Sequence, residues 1–326
     1  MLKELRFVIG SVSKKDFMPA LSHFKIQGGR VQGFNGRIAL SSPIEFDIDC
    51  IPKADTLVKA VQRCEEAIVL GMTPTGRLSI KSGKFRTYIT CVDFATPHKE
   101  PEGEFVDIDG ELLLKALSAL EPIIANDASR LWSNGVRFDG SSAFATNNVI
   151  LAEYWLGADF PISVVIPRDA VKEILRINET PIKFQMSENS LTLHYEDGRW
   201  LSTLLIVDKW PDVRAVLNKA YSTPELKRIP EEFWTALEAV KPFTDKTGRV
   251  MMEDGVIHTH IIGDEEGSEY DCPFAEFRST YVLDMLTKLE KVATHIDLSK
   301  YPNPAPWQGE NLRGAIIGLR WLEGRL

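Results

Sequence analysis

Residues 181–217 read PIKFQMSENSLTLHYEDGRWLSTLLIVDKWPDVRAVL. Apolar residues alternate with polar ones in two runs, 182–186 and 191–195, and polar turn sequences follow at 187–189 and 196–198. Alternation with a period of two is typical of strands that bury one face. Polar turns between such runs are typical of antiparallel pairs. The stretch therefore predicts a meander of β-strands.

An altered copy of this stretch lies earlier in the chain, at residues 67–93, AIVLGMTPTGRLSIKSGKFRTYITCVD. Ile68 corresponds to Ile182, and Gly83 corresponds to Gly198. The two isoleucines are 114 residues apart. A spacing of that size predicts that whole domains are repeated.

The repeat divides the 326 residues into three predicted domains, 1–103, 104–218 and 219–326, each with the order strand, helix, strands, helix, strands. Apolar residues make up 44% of the sequence, which is enough for a core in each domain. The first domain departs from the pattern. Its opening strand is predicted at Leu5–Ile9. Its first helix is predicted to be missing or shortened, because only SVSKKDF separates this strand from Met18. We therefore predict an α+β repeat protein in which the sheets of neighbouring domains join edge to edge.

Helices are predicted where apolar residues recur every three or four positions. The predicted helices span residues 53–64, 167–177, 230–243 and 279–292. A further helix, in the second domain, is predicted to carry on one face Leu113, Leu114, Leu117 and Leu120. The segment WPDVRAVL, 210–217, is taken as the connection into the third domain.

The composition limits the classes of function. A net charge of −8 argues against nucleic-acid binding over the whole surface, but leaves room for a local basic face. The four cysteines form no C-x-x-C pair, so neither a disulfide framework nor a zinc module is indicated. No apolar run is long enough for a signal peptide or a membrane span, so we predict a soluble cytoplasmic protein without membrane contact.

No catalytic motif and no cofactor-binding motif stands out. His258 and His260 form an H-x-H pair whose rings share one face of a strand, at a spacing that a metal ion could use. No third ligand is marked nearby, so the prediction is no metal and no cofactor. A solvent-facing strand is the alternative interpretation of this pair.

Basic residues recur at helical spacing on the second helix of each predicted domain. They are Lys59 and Arg63, then Arg168, Lys172 and Arg176, then Lys288 and Lys291. A polyanion such as nucleic acid is the natural partner of a recurring basic stripe, because phosphate contacts need charge and reach but no base-specific geometry. The alternative is a solvated face with pairs inside the helix, such as Asp169 with Lys172.

Five motifs resemble the bacterial processivity clamp, the beta subunit of DNA polymerase III. They are FMPALSHFKI (17–26), SNGVRFDGSSAFATNNVILAEYW (133–155), VDKWPDVRAVL (207–217), RSTYVLDMLTKL (278–289) and IIGLRWL (316–322). The resemblance covers nearly the whole chain and implies a divergent, phage-encoded member. It implies three clamp domains with sheets outside and helices lining a ring, normally a head-to-tail homodimer around double-stranded DNA. It also implies a protein without enzymatic activity that tethers DNA polymerase and slides without reading sequence.

The resemblance also implies a groove for linear peptides from DNA polymerase and the clamp loader. The implied wall residues are Ser133, Thr146, Asn148, Val149, Ile150, Leu151, Pro211, Val216, Ile317 and Leu319. The family's usual Asp-Gly-His-Arg is replaced here by Asn147-Asn148-Val149-Ile150, which removes a cation and adds apolar surface. The peptide that this groove accepts is therefore expected to differ from the consensus peptide of the host's clamp. A simple buried strand is the alternative interpretation of residues 149–151.

For DNA, the resemblance places basic residues at Lys14, Lys15 and Arg130, with an aromatic position at Trp132. Asn126 and Asp127 replace residues that are more favourable for DNA, which weakens the contact expected there.

Two other functions stay open on sequence alone. One is a clamp-like scaffold or decoy that binds replication proteins without closing on DNA. The other is a metal-dependent hydrolase that uses His258 and His260. The sequence also leaves open whether the ring is a dimer or a trimer, and which polymerase or loader binds.

Overall fold

The structure is a computed structural model, which describes residues 1–13, 18–46, 48–93, 97–259 and 267–321. Its helices are α1 (Leu2–Val8), α2 (Ala54–Gln62), α3 (Gly110–Leu120), α4 (Arg168–Ile177), α5 (Val213–Ala220), α6 (Glu231–Val240) and α7 (Leu283–Thr287). No helix in this part of the chain is both long enough and apolar enough to cross a lipid bilayer.

The strands of the first half are β1 (Lys25–Gln27), β2 (Arg30–Phe34), β3 (Ile38–Pro43), β4 (Ile68–Met72), β5 (Arg77–Ser82), β6 (Phe85–Thr90), β7 (Glu104–Val106), β8 (Gly135–Asp139), β9 (Ser142–Thr146), β10 (Ile150–Trp155) and β11 (Val164–Pro167). Those of the second half are β12 (Lys183–Met186), β13 (Ser190–His194), β14 (Trp200–Leu204), β15 (Lys227–Arg228), β16 (Arg249–Glu253), β17 (Val256–His258), β18 (Glu269–Asp271), β19 (Ser279–Val282), β20 (His295–Ile296), β21 (Ala305–Gly309) and β22 (Leu312–Ile316).

Within the described residues, the strands form four antiparallel sheets. Their orders are β1-β2-β3-β14-β13-β12-β7, β11-β8-β9-β10-β22-β21-β20-β15, β18-β17-β16-β19 and β4-β5-β6. In the seven-stranded sheet β3 pairs with β14, with Leu40 opposite Leu201. In the eight-stranded sheet β10 pairs with β22, with Ile150 opposite Ile316. The prediction that sheets join edge to edge is confirmed at these two pairings.

The chain forms two compact units. Unit 1 contains Met1–Leu114 and Asp169–Ile206, and unit 2 contains Lys115–Arg168 and Val207–Leu326. In unit 1, α1 packs against β2 and β3, over a core that includes Phe24 and Leu40. In unit 2, α6 packs against β17 and β18, and α5 packs against β21 and β22. The division into three repeated domains stays a prediction.

Both copies of the repeated stretch are three-stranded meanders, as predicted. Strands β12 to β14 form the later copy and β4 to β6 the earlier one. Gly198 and Gly83 both lie in turns with positive φ, 77° and 54°. Glycine adopts this conformation without the steric cost that a side chain would meet, which explains why both copies keep it.

Two predicted elements are wrong. The strand predicted at Leu5–Ile9 is the helix α1. The first helix, predicted to be missing or shortened, is therefore present, and its seven residues make it shorter than α3, which has eleven. The buried residues of α1 are Leu5, Phe7 and Val8. Leu5 and Val8 lie one helical turn apart, whereas Leu5 and Phe7 are two residues apart, as on one face of a strand, so a run this short fits either element. The helix predicted over 279–292 begins instead as β19, whose β-branched and aromatic residues are buried against β16.

Candidate functional site

The turn between β9 and β10 is held by its own polar side chains. The Oδ1 of Asn147 accepts hydrogen bonds from the N–H groups of Val149 and Ile150, at 3.0 and 2.7 Å. The hydroxyl of Thr146 accepts one from the N–H of Asn148, which has a φ of 70°. Asparagine tolerates this left-handed conformation better than most residues. Asn147 and Asn148, which stand where the resembled family has Asp-Gly, therefore stabilise the turn. At its tip, Asn148 and Val149 are half-exposed.

The C-terminal segment after β22 lies against this turn and is anchored by backbone hydrogen bonds. The N–H of Ile317 donates to the carbonyl of Val149 at 3.0 Å, and that of Leu319 donates to the carbonyl of Thr280 at 2.8 Å. The carbonyl of Leu319 accepts from the hydroxyl of Tyr301 at 2.8 Å. The backbone of Leu319 is therefore held through both its N–H and its carbonyl group, and its side chain is half-exposed.

Helix α5 begins because Asp212 caps it, accepting a hydrogen bond from the N–H of Ala215 at 3.1 Å. Arg214 joins the helix to the sheet through Asp139, at 3.0 Å to its carboxylate, and stacks over Phe144. At the other end the hydroxyl of Tyr221 donates to the carbonyl of Trp307, and burial raises the pKa of this tyrosine to about 12. The helix is thus fixed at both ends. Val216, one of its residues, is 44% exposed.

The predicted groove residues divide into an exposed set and a buried set, all in unit 2. The exposed or half-exposed set is Asn148, Val149, Pro211, Val216, Ile317 and Leu319. The buried set is Ser133, Thr146, Ile150 and Leu151, whose exposed fractions run from 0% to 8%. The N–H of Ala125 contacts the carbonyls of Ser133 and Thr146, both at 3.2 Å, so these two residues support the β9 end from behind. A ligand on this surface would meet the exposed set first.

In unit 1, some residues predicted to contact DNA form ion pairs within the protein, and others do not. Lys59 is exposed, but its ammonium lies 2.5 Å from the carboxylate of Asp55. Arg63 and Lys172 are exposed, and no carboxylate among the described residues pairs with either. The expected pair of Asp169 with Lys172 is not formed, because Asp169 faces Arg37 at 3.5 Å.

Arg176 has a structural role. Its guanidinium pairs with the buried Glu173 and donates to the carbonyls of Arg6 and Phe7, at 3.3 and 2.9 Å. These carbonyls belong to the last turn of α1, where helix carbonyls lack partners within the helix. Arg176 therefore caps α1, and little of its charge is left for DNA.

In unit 2, Arg130 is exposed, and the carboxylate of Asp127 lies close enough to interact with it. Hydrogen bonds from Ser129 lower the pKa of Asp127, so this carboxylate stays charged and offsets the arginine. The ring of Trp132 packs edge-on against that of Trp210, with centroids 5.2 Å apart.

One cavity of unit 2 is lined by three of the predicted DNA-binding residues, Arg168, Lys288 and Lys291. Lys14 and Lys15 lie outside the described residues.

The histidine pair gives no metal centre within the residues that the structure describes. His258 is buried, not on a solvent-facing strand, and its Nδ1 lies 3.3 Å from the carbonyl of Thr259. His260 lies outside the described residues. Over the described ranges, no three His, Cys, Asp or Glu side chains are grouped so that they could hold a metal ion.

Comparison with known proteins gives matches among solved structures alone, since no protein-family model and no curated protein matches the sequence. The beta sliding clamp of Caulobacter crescentus matches with a TM-score of 0.80 at 17% sequence identity, over 98% of this chain and 97% of that one. The chain has the sliding-clamp fold. The DNA polymerase III beta clamp of Bartonella birtlesii, bound to griselimycin, matches with a TM-score of 0.81 at 18% identity, and the Bacillus subtilis clamp with 0.80 at 15%. Both cover the same shares of the two chains.

Two residues that shape the surfaces described above were not among the predicted site residues. Asn147 fixes the turn, and an Asn-Asn pair before a strand is a sequence signal for such a turn. Glu121 lies in the cavity with the three cations. It follows α3 in sequence, and nothing local predicts that it meets residues of the segment after α7.

Proposed function

We propose that this protein is a DNA sliding clamp, a replication processivity factor that encircles duplex DNA and tethers DNA polymerase. Its role is non-catalytic: it acts by holding other proteins on DNA. The sliding-clamp fold over 98% of the chain supports the proposal, and the order of strands in the four sheets carries it.

The sheet orders leave one matched pair of strand edges. The order β11-β8-β9-β10 has the same plan as β19-β16-β17-β18, so β18 corresponds to β10. Likewise β6 ends the meander β4-β5-β6 as β22 ends β20-β21-β22. Within the chain β10 pairs with β22, whereas β18 and β6 are the outer strands of their sheets.

The two outer strands are complementary in charge. Strand β18 exposes Glu269 and Asp271, and β6 exposes Arg86, together with Tyr88 at 51%. An unpaired strand edge is a template for pairing with another chain. If β18 of one copy pairs with β6 of the next, a heterologous interface forms, and two copies that close head to tail leave neither edge free. This is our basis for a homodimeric ring.

Weak contacts suit a protein that must slide. The net charge of −8 disfavours tight binding to DNA. Arg63, which follows α2, and Lys172, on α4, are exposed and have no carboxylate partner among the described residues. Encirclement holds the protein on DNA, so each contact needs only to be sequence-independent.

The exposed groove residues supply the binding surface for polymerase and clamp loader. Val149, Val216, Ile317 and Leu319 offer apolar surface for an anchor side chain of a linear peptide. Burial of such an anchor is worth roughly 25 cal/mol per Å². The Bartonella birtlesii clamp was solved with griselimycin bound, and we propose that this chain binds its ligands through these residues.

Size and topology together test the proposed function. One chain has a mass of 36.6 kDa. Light scattering is expected to give twice this mass. Protein loaded on a nicked circular plasmid is expected to stay bound in high salt and to be released when the plasmid is made linear, because a ring slides off free ends. A stable monomer at micromolar concentration, or equal release from circles and linear DNA, would contradict the ring. A monomer that still binds polymerase would indicate the scaffold alternative.

Lys172→Gln is expected to reduce the salt dependence of binding to short linear duplex DNA. One lost phosphate contact lowers the slope of log K against log salt by roughly 0.9. The matched control is Lys183→Gln, since Lys183 is an exposed lysine of the same unit that lies on a strand of the seven-stranded sheet. Equal slopes for the two variants would mean that α4 does not face DNA.

A further inference from the structure

The meander β4-β5-β6 lacks a strand that the two corresponding meanders have. The meander of β12 to β14 is extended beside β12 by β7, and the meander of β20 to β22 is extended beside β20 by β15. Each added strand runs antiparallel to the strand that it covers. Among the described residues, β4 pairs with β5 alone. The other edge of β4 is therefore open in this part of the chain.

The open edge leaves apolar surface of β4 exposed. Two residues after the matched isoleucines of the repeat stand Leu70 in β4 and Phe184 in β12. Phe184 lies opposite Val106 of β7 and is 2% exposed, whereas Leu70 is only partly buried. Val69, the neighbour of Leu70, is 63% exposed. A strand in the place that β7 takes beside β12 would therefore cover apolar surface of β4.

The backbone of β4 also presents hydrogen-bonding groups at this edge. The N–H of Thr73, which follows β4, donates to the carbonyl of Arg77 at 2.9 Å. Hydrogen bonds of an antiparallel pair alternate along each strand, so the N–H and carbonyl groups of Leu70 and Met72 point away from β5. Strand β4 contains neither Lys nor Pro, the residues that commonly block such an edge. The edge can therefore accept another strand.

The charge of the meander indicates an acidic partner. Residues 67–92 contain no Asp or Glu and four basic residues, all exposed, which are Arg77, Lys81, Lys84 and Arg86. Lys81 lies opposite Val69 in the register of β4 and β5. The same meander of a second copy would bring the same charges to the edge, and like charges on paired strands are destabilising. A partner strand with carboxylates is complementary to this surface.

We propose that the open edge of β4 is a docking site for an acidic, extended segment of a partner protein, which adds to the meander as an antiparallel strand. Main-chain hydrogen bonds to Leu70 and Met72 hold the segment. An apolar side chain of the segment stands opposite Leu70, as Val106 stands opposite Phe184. Its carboxylates interact with Lys81. The site lies across the meander from β6, so it is separate from the proposed ring interface and does not depend on the clamp function.

The probe is a labelled peptide with the sequence of residues 102–109, EGEFVDID, titrated into the whole protein and followed by fluorescence anisotropy. This sequence contains β7, which covers β12, and it carries four carboxylates on its side chains. The wild-type protein is expected to bind it saturably. The same peptide with Val106→Pro keeps the charge but loses a main-chain donor, and is expected to bind roughly tenfold more weakly. No binding of the first peptide would overturn the site. Equal binding of the two peptides would also overturn it, because charge alone would then explain the attraction.

Two variants of the protein test the same contact from the other side. Leu70→Pro removes an N–H that faces the open edge and leaves the hydrogen bonds to β5 in place, so it is expected to weaken binding roughly tenfold. Lys81→Gln serves if that variant does not fold, and is expected to weaken binding roughly twofold to fivefold, the effect of one exposed charge pair.

Lys183→Gln is the matched control, because Lys183 is an exposed lysine of β12, whose edge β7 already covers. It is expected to leave peptide binding unchanged. The urea midpoint of each variant checks its fold. Wild-type affinity in a folded Leu70→Pro variant would overturn the site, as would equal losses in Lys81→Gln and Lys183→Gln.

Discussion

Replacing Gly314 with alanine is expected to destabilise unit 2 by about 3 kcal/mol, at the upper end of the range for overpacked cores. A Cβ at this position would lie 2.2 Å from two ring atoms of Trp307 and 2.4 Å from the carbonyl oxygen of Leu151. Trp307 is fully buried and sits opposite Gly314 in the register of β21 and β22. The ring has no space to move into, and the carbonyl belongs to the neighbouring strand β10. The clash can be relieved only by separating strands.

Urea denaturation followed by tryptophan fluorescence measures this effect. The matched control is Gly71→Ala on β4, because a Cβ there would meet no atom within 4 Å. Gly71 lies in a strand interior, so alanine is expected to be neutral or slightly stabilising through the lost flexibility of the unfolded chain. If both variants unfold at the same urea concentration as the wild type, the packing of β21 against β22 and β10 is not as described.

Gly314 also shows what local sequence predicts and what it leaves out. The sequence predicts a strand over LRGAIIGLRWL, and its first five residues, 312–316, form β22. That one of them must be glycine depends on Trp307 and on Leu151, which is far away in sequence. The same limit explains the two elements predicted wrongly. Over five to seven residues, apolar spacing fits a helix or a strand, and tertiary packing decides between them.

The meander was predictable because its signals are local. Alternating residues, turn sequences and Gly198 all lie within one short stretch, and the structure forms three strands there. Helix α5 was missed in the same stretch, although its signal, Asp212 as a capping residue before Val213, was present.

The candidate site was predictable only in part, for the same reason. The turn at Asn147 can be inferred locally from its residue types. The pairing of Leu319 with Thr280 joins distant segments, as does the grouping of Arg168 with Lys288. Sequence motifs indicated which segments matter, but not which side chains are exposed. Ser133 and Ile150, both fully buried, show the difference.

Leu319→Asp is expected to reduce affinity for the C-terminal peptide of the cognate polymerase at least 100-fold, roughly 3 kcal/mol. If the groove buries an apolar anchor against Leu319, a carboxylate there has to be desolvated without a partner. Central apolar contacts of this kind dominate binding energy at protein interfaces. The fold should be unaffected, because the backbone of Leu319 is held through Thr280 and Tyr301, and neither bond uses its side chain.

Fluorescence anisotropy with a labelled peptide measures the affinity, and the urea midpoint checks the fold. Ile182→Asp is the matched control: Ile182 is a branched apolar residue, 50% exposed, that lies in unit 1. It is expected to leave peptide binding unchanged, which shows that an added surface charge alone is not responsible. Wild-type affinity in Leu319→Asp would place the peptide elsewhere on the protein. Retention of that variant on circular DNA separates the two activities, because a ring that has lost its partner peptide should still encircle DNA.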